Sequence, residues 1–362
     1  MKRRDLLQSG VGAAALALAP AAAFAEVVYA PAPKGWRTFA LTTRIEPQAG
    51  ATRVWIPLPT FAGSDWQKPG NVSWSGNAKL AERDRDPRYG AEMLRVEWPA
   101  DQQSPFIEVT TEVQTQDRSL APGKGNAPPL GDAERKLNLA ATDLLATDGI
   151  VQETAEEIVT GHKDDLAKAR AIYEWVVDNT FRNAKTLGCG LGDITSMIKS
   201  GNLNGKCADL NALYVGLARS VGVPARDVYG IRVAPSQFGF KALGAGSENV
   251  TKAQHCRAEV WLTGSGWTPV DPADVRKVVL EEPPGNLAMA DAKVMAARKA
   301  LFGAWEGNWV AFNDAHDLKL PSSKEAAIPF LMYPQAENRD GFLDSLDPDK
   351  FKYRITAREA SS

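Results

Sequence analysis

Between residues 36 and 118 the chain alternates short apolar runs with breaks at proline, glycine and aspartate. The runs WRTFALTTRI, TRVWIPLP, EMLRVEW and IEVTTEV are rich in β-branched and aromatic residues, a composition typical of strands. We therefore predict a β-sandwich-like N-terminal domain over residues 26–120. Residues 121–134 concentrate glycine and proline without periodicity, which indicates a linker.

Beyond the linker the apolar positions follow a helical period. One stripe consists of Leu166, Ala169, Ile172, Tyr173, Val176 and Val177. A second helix is predicted to begin near Cys207, because apolar residues then recur at steps of three and four until Gly222 and Pro224 end the pattern. Each helix is expected to pack one face on a core.

Strand patterns return after the second helix. RDVYGIRV is followed by HCRAEVWL, a turn at TGSG and WTPVD, which together predict an antiparallel hairpin. Helices followed by such a sheet predict an α+β domain over residues 135–335. The polar residues 336–362 are expected to form a peripheral tail.

The first 25 residues resemble a cleaved export signal of the twin-arginine type. Basic residues precede a short uncharged stretch, which ends in the small-residue pattern at Ala23 and Ala25. An uncleaved anchor is disfavoured because this stretch is shorter than a bilayer-spanning helix. The mature protein is therefore expected in the periplasm of a Gram-negative bacterium, with no segment inserted in the membrane.

Composition limits the partners. The chain has 44% hydrophobic and 24% charged residues, as expected for a globular protein with a sizeable core. Its formal net charge is −2 and its basic residues are scattered, so the sequence does not indicate binding to nucleic acid or to an anionic membrane. The oligomeric state does not follow from the sequence.

Three residues suggest nucleophilic catalysis. Cys207 is predicted at a helix N-terminus, where the exposed amides stabilise a thiolate. His255 begins one predicted strand and Asp271 ends the next, which supplies a base and a residue to orient it. Alone, Cys207 would more often be a small buried apolar residue. The combination favours a triad.

The hairpin register tests this triad. A turn symmetric about Gly264 and Ser265 would place Asp271 opposite Ala258, on the wrong face for His255. One extra residue would restore the face, so we predict an irregularity in this hairpin.

The segments GKCADLNALYVGLARSVGVPAR and HCRAEVWLTGSGWTPVDPADV resemble the transglutaminase-like superfamily over about residues 165–275. The resemblance implies a papain-like core, with helices packed on an antiparallel sheet. It also implies that Cys207, His255 and Asp271 are nucleophile, base and orienting residue. The family includes protein cross-linkers, peptidases, amidases and members without activity.

Several roles remain open. The oxyanion of an acyl-transfer reaction could be bound by the backbone N–H of Cys207 and by Asn204, although Asn204 fits a turn residue equally well. A zinc site is disfavoured because no closely spaced cysteine pair exists, and because His255 and Cys256 should point to opposite faces of a strand. Cys256, directed away from the cleft, either bonds to Cys189 or remains a free thiol, as Cys189 then does.

Three functions follow from these residues. The favoured one is hydrolysis of a peptide or amide bond in a peptide or protein substrate, through a thioester and without a metal or other cofactor. Acyl transfer to an amine would use the same triad. A non-catalytic binding module would keep the fold without an activated thiol. Substrate identity does not follow from the sequence.

Overall fold

The computed structural model describes residues 27–61 and 65–360, so the predicted export signal lies outside the described residues. The strands are β1 (Arg37–Ile45), β2 (Thr52–Pro57), β3 (Gln67–Gly76), β4 (Leu80–Arg85), β5 (Glu92–Trp98), β6 (Ile107–Thr115), β7 (Arg118–Ser119), β8 (Phe181–Arg182), β9 (Asn204–Gly205), β10 (Ala225–Arg232), β11 (Gln254–Leu262), β12 (Gly266–Val270), β13 (Ala304–Trp305), β14 (Trp309–Asn313), β15 (Gln335–Asn338), β16 (Gly341–Leu343) and β17 (Tyr353–Glu359). The helices are α1 (Asp132–Leu137), α2 (Gly149–Ile158), α3 (Asp165–Asn179), α4 (Ile194–Ser200), α5 (Cys207–Ser220), α6 (Pro272–Glu281) and α7 (Ala292–Ala300), with a 3-10 turn at Lys241–Leu243. None of the helices in these described ranges has both the length and the apolar character needed to cross a bilayer.

Two antiparallel sheets form the N-terminal sandwich. The first has the strand order β17-β1-β6-β3 and the second β16-β15-β2-β5-β4. Ile45 and Val109 of the first sheet share a buried cluster with Val54 and Val96 of the second. These apolar residues alternate with more exposed ones along β1 and β6, as expected for strands with one buried face. The predicted β-sandwich is therefore confirmed.

In the predicted tail at residues 336–362, the described residues, 336–360, do not form the peripheral segment that the sequence led us to expect. Strand β17 pairs with β1 over seven residues, and β15 pairs with β2 in the other sheet. Ile355 and Ala357 are buried, whereas their neighbours along β17 are more exposed. The overall polarity of the segment hid this alternation, because only every second residue of an edge strand needs to be apolar.

A four-stranded antiparallel sheet with the order β12-β11-β10-β14 forms the centre of the second domain. Helix α5 covers one face of it and is buried from Cys207 to Arg219. Ala258 and Val260 of β11 share the largest apolar cluster with Leu213 and Leu217 of α5. This arrangement of helices on an antiparallel sheet confirms the predicted α+β fold.

The sandwich and the second domain share a core. Phe39 and Leu41 of β1 lie in one buried cluster with Ile231 of β10 and Val310 of β14. Ile45 projects from the same face of β1 and instead contacts the second sandwich sheet. One face of the first sheet therefore packs at one end on its sandwich partner and at the other end on the helix-covered sheet.

The β11–β12 hairpin has the register that the triad requires. Ala258 pairs with Val270 and Leu262 with Gly266, which leaves a turn of three residues. Gly264 and Gly266 have positive φ values of 85° and 71°, which only glycine adopts readily. The extra residue lies in the turn, so Asp271 follows in register with Arg257, on the same face as His255. The hairpin register is therefore shifted by one residue from a symmetric two-residue turn, as expected, and the pairing of β11 with β12 contains no bulge.

Candidate active site

Cys207 is the first residue of α5, and its local structure is held by Asp209, two residues later in the same first turn. The Asp209 carboxylate accepts hydrogen bonds from the amides of Leu191 and Gly192, both at 3.0 Å, and of Lys206 at 2.9 Å. The amide of Cys207 belongs to the first turn and needs no partner within the helix, so it is free to donate to a ligand. This carboxylate therefore ties the loop before α4 to the turn that carries the cysteine.

His255 and Asp271 are paired in the interior. The His255 Nε2 atom lies 2.8 Å from Oδ2 of Asp271, and both side chains are almost fully buried. This hydrogen bond leaves Nδ1 as the ring nitrogen available to the sulfur. Cys207 and His255 line the same cleft, and each alters the pKa of the other. The structure thus brings together the three residues that the sequence singled out; their catalytic roles stay a prediction.

Asp271 is held by its other oxygen. Its Oδ1 atom caps α6 by accepting a hydrogen bond from the backbone N–H of Asp274 at 3.0 Å. The same oxygen accepts a hydrogen bond from Nδ2 of Asn211 at 3.2 Å. Pro272 follows at the first helical position, where a missing N–H has no cost. The helix start therefore fixes the orientation of the carboxylate that faces His255.

A second carboxylate, which the sequence analysis missed, completes this buried cluster. Asp274 Oδ1 lies 3.4 Å from His255 Nε2 and 2.5 Å from a guanidinium nitrogen of Arg232. The Arg232 charge, together with His255, outweighs burial and holds the pKa of Asp274 well below its usual range. Among the described residues, His255, Asp271 and Asp274 are the one group of at least three potential metal ligands, since their nitrogen and oxygen atoms lie within 4.8 Å of one another. Because their contacts are directed to one another and to Arg232, the group is better suited to orient an imidazole than to bind a cation.

The thiol and the imidazole shift their pKa values in opposite directions. Burial alone would raise the pKa of Cys207, but its interactions with the neighbouring thiols and with the charge of His255 bring it well below the ordinary value. Burial and Arg232 would lower the pKa of His255, but Asp274, Asp271 and Cys207 raise it to about 9. A thiolate–imidazolium pair is therefore the favoured state near neutral pH.

The neighbouring thiols are Cys189 and Cys256. All three cysteines are free and lie in one buried cluster, and both neighbours influence the pKa of Cys207. The expectation that Cys256 points away from the site is therefore wrong. Cys256 does alternate with His255 along β11, but it projects from the face that α5 covers, and the start of α5 carries Cys207. The alternative of a bond between Cys189 and Cys256 is also excluded.

The cleft in front of Cys207 has a volume of about 640 Å³. Part of its wall is apolar and comes from the C-terminal segment, through Leu346, Phe351 and Tyr353. Loop residues 244–246, 249 and 251–253 form another part. The segment that was expected to be peripheral thus contributes to the cleft that holds the nucleophile.

Gln254 is a second residue that the sequence did not single out. It immediately precedes His255, lines the cleft, and is 9% exposed, and its Nε2 atom is buried without a hydrogen-bond partner. A buried donor without an acceptor is costly, and such donors next to a nucleophile can receive an oxyanion. Asn204 fits this role less well because it does not line the cleft. Its amide donates to Asn202, and its oxygen accepts from Asn183 at 2.9 Å.

Comparison with known proteins agrees with this geometry. The profile of the transglutaminase-like superfamily matches residues 152–272, which include all three triad candidates. An uncharacterized protein of Haemophilus influenzae is 38% identical over 325 residues, which cover 86% of this chain and 87% of that protein.

Two solved structures are more distant. A Cytophaga hutchinsonii protein named provisionally as a cysteine protease is 16% identical, with a TM-score of 0.49, over 90% of this chain and 99% of its own. The periplasmic domain of TgpA from Pseudomonas aeruginosa is 18% identical, with a TM-score of 0.34, over 67% of this chain and 88% of its own. The profile match places this protein in the transglutaminase-like superfamily through its domain at residues 152–272.

Proposed function

We propose that the protein is a periplasmic cysteine-dependent hydrolase of peptide or amide bonds. The observation that carries this proposal is the grouping of Cys207 and His255 in the lining of one cleft, with His255 hydrogen-bonded to Asp271 behind it, in a cleft large enough for a peptide segment. The opposed pKa shifts of thiol and imidazole support it further. The periplasmic location rests on the twin-arginine-like pattern of the first 25 residues.

The reaction would proceed in two steps. The Cys207 thiolate attacks the carbonyl carbon, and the imidazolium of His255 delivers its proton to the leaving amine as the C–N bond breaks. Water then attacks the thioester, with neutral His255 accepting its proton, and releases the carboxylic acid and the thiolate. Asp271 keeps Nδ1 directed at the sulfur and stabilises the imidazolium.

The oxyanion of each tetrahedral intermediate needs donors. The first amide of α5 supplies one, at Cys207. The unpartnered amide of Gln254 is the best second donor among the residues of the cleft. Loss of one such donor typically costs about 3 to 4 kcal/mol in the transition state.

The proposal is tested by labelling with an electrophilic peptide analogue, followed by screening of a peptide library for cleavage. Wild-type protein should be labelled at Cys207 and should cleave members of the library, whereas Cys207→Ala should do neither. Equal labelling of the two proteins would rule out catalysis at this position and favour a non-catalytic module. Addition of a primary amine distinguishes the remaining alternative, because an acyltransferase would form the amide of that amine in preference to the free acid.

A further inference from the structure

We propose that the cleft selects peptide substrates that carry carboxylates. This inference rests on the proposed function, because it assigns the substrate class of the same site. Of the residues that line the cleft, six are lysine or arginine and none is aspartate or glutamate. The basic ones are Arg182, Lys185, Lys206, Arg232, Lys252 and Lys277.

Acidic residues behind the lining compensate only part of this charge. Arg232 is paired with Asp274 at 2.5 Å. Arg182 and Lys277 share the single carboxylate of Glu281, and the Lys277 Nζ atom lies 3.7 Å from it.

The remaining three lysines of the lining, at positions 185, 206 and 252, form no ion pair with any described residue. Two carboxylates therefore stand against six cations, which leaves an excess of about four positive charges around the cleft. Clefts lined by one sign of charge focus the field and attract ligands of the opposite sign.

Lys277 shows the consequence of this imbalance. Burial and the nearby charge of Arg232 lower the pKa of Lys277 to about 8, although Asp274 and Glu281 oppose the change. A carboxylate bound beside Lys277 would supply the missing counter-charge. The Lys277 ammonium group would then gain a close anionic partner, whereas the carboxylate of Glu281 lies 3.7 Å away from it.

The shape of the cleft indicates a peptide rather than a small anion. Its volume is about 640 Å³, and Leu346, Tyr333 and Tyr353 offer apolar surface next to the basic side chains. Such a mixture suits a chain in which carboxylates alternate with aliphatic or aromatic groups. The carboxylate could come from acidic side chains or from a free C-terminus, and the two sources are separable by experiment.

The test measures binding with the Cys207→Ala variant, so that cleavage does not interfere. Fluorescent peptides are compared in matched pairs by anisotropy: Asp or Glu against Asn or Gln at each position, and a free against an amidated C-terminus. We expect the carboxylate member of at least one pair to bind about three- to tenfold more tightly at low salt. The preference should shrink as the salt concentration rises from about 0.05 to 0.5 M, because exposed charges are screened.

Variants identify the source of the preference. Lys252→Gln and Lys185→Gln change exposed side chains of the cleft and should each reduce the discrimination between matched peptides. Lys163→Gln and Lys324→Gln change exposed lysines outside the cleft and should leave it unchanged. Equal binding of all matched pairs, or a preference that survives both cleft variants, would overturn the inference.

The outcome separates this inference from the proposed function. If carboxylate peptides bind selectively but wild-type protein cleaves none of them and Cys207 is not labelled, the hydrolase proposal fails and the charge selectivity stands. If wild-type protein cleaves acidic and neutral peptides at equal kcat/KM and the variant binds them equally, the hydrolase stands and the selectivity fails.

Discussion

At the scale of single residues, Asp271 has two structural roles that a substitution can separate. Its Oδ2 atom contacts His255, and its Oδ1 atom caps α6. Asparagine can keep the capping oxygen, but its NH₂ group cannot accept the imidazole proton, so the ring would turn to the wrong tautomer. We expect Asp271→Asn to lower kcat by about a hundredfold or more while the protein stays folded.

Asp271→Ala serves as the comparison. It should lose activity to a similar extent and, in addition, about 1 kcal/mol of unfolding free energy because the cap is lost. Both quantities are accessible from peptide cleavage and urea unfolding. An Asp271→Asn variant with wild-type kcat would show that this carboxylate does not orient the base.

Asp227 predicts a pH-dependent stability. Burial, only partly opposed by Arg219, raises the pKa of this carboxyl from 3.8 to about 7, and neither of its oxygens has a hydrogen-bond partner. The folded state therefore favours the neutral form: ionisation costs nothing below pH 4, and the cost grows as pH rises and levels off above about pH 7.

The Asp227→Asn variant carries no such cost. Its unfolding free energy should exceed that of the wild type by an amount that grows from pH 4 to pH 7, up to about 4 kcal/mol at pH 8. Chemical denaturation at pH 4.5, 6 and 8 measures this difference. A difference that is independent of pH would contradict the assignment of a buried, poorly paired carboxyl.

At the scale of elements, the loop before α4 and the start of α5 depend on a close approach between Gly190 and Asp209. Gly190 has φ of 93°, and a Cβ atom there would lie 1.8 Å from the Asp209 carboxylate. Gly190→Ala should therefore displace this carboxylate from the three backbone N–H groups whose hydrogen bonds it accepts, with a loss of about 2 to 4 kcal/mol in unfolding free energy. It should also slow alkylation of Cys207, because the thiol loses its fixed position.

Gly131→Ala is the matched control, since a Cβ at Gly131 meets no atom within 4 Å and its φ is ordinary for any residue. Thermal unfolding of both variants and mass-spectrometric alkylation rates make the comparison. Equal stability of the two variants would mean that the Asp209 carboxylate does not hold the loop.

The elements that carry the site were largely predictable, and the exceptions have physical causes. The helix at Cys207 and the hairpin of His255 and Asp271 follow from local periodicity and turn residues. Because side chains alternate between the two faces of a strand, the hairpin needed one extra residue to bring His255 and Asp271 to the same face. The position of that residue, in the turn and not in the ladder, depends on how the hairpin packs. Asp209 had a local signal, because it lies three residues after Lys206 at the spacing of a capping box. Asp274 and Gln254 had no such local signal in the sequence, because their place in the candidate site arises only when distant segments meet in the fold.

At the scale of the whole molecule, the last strand joins the sandwich to the cleft. Ile355 lies on β17 in the first sheet. Its carbonyl oxygen accepts a hydrogen bond from the N–H of Val250, and its N–H donates one to the Thr251 hydroxyl, both at 2.9 Å. Val250 is buried in the same cluster as Ile355, and Thr251 lines the cleft. Packing at the far end of the chain therefore holds a wall of the candidate active site.

We expect Ile355→Ala to destabilise the protein by about 2 to 4 kcal/mol, because it leaves a cavity in the cluster shared by both domains. Arg354→Ala changes the adjacent exposed side chain and should stay within about 0.5 kcal/mol of the wild type. Denaturant unfolding distinguishes the two. Equal stability would indicate that β17 is peripheral after all. The sequence could not reveal this pairing, which joins residues more than 300 positions apart.

The pH dependence of Cys207 alkylation tests the central claim most directly. Iodoacetamide modification is followed by peptide mass spectrometry between pH 5 and 9, with each cysteine quantified separately. The account predicts that Cys207 reacts rapidly well below pH 8, because its pKa is lowered, whereas Cys189 and Cys256, whose pKa values are raised by contact with it and by burial, stay unreactive. His255→Ala should move the Cys207 midpoint upward. A Cys207 rate that rises with a midpoint near 8.5, as for an ordinary thiol, and is unaffected by His255→Ala would contradict the account.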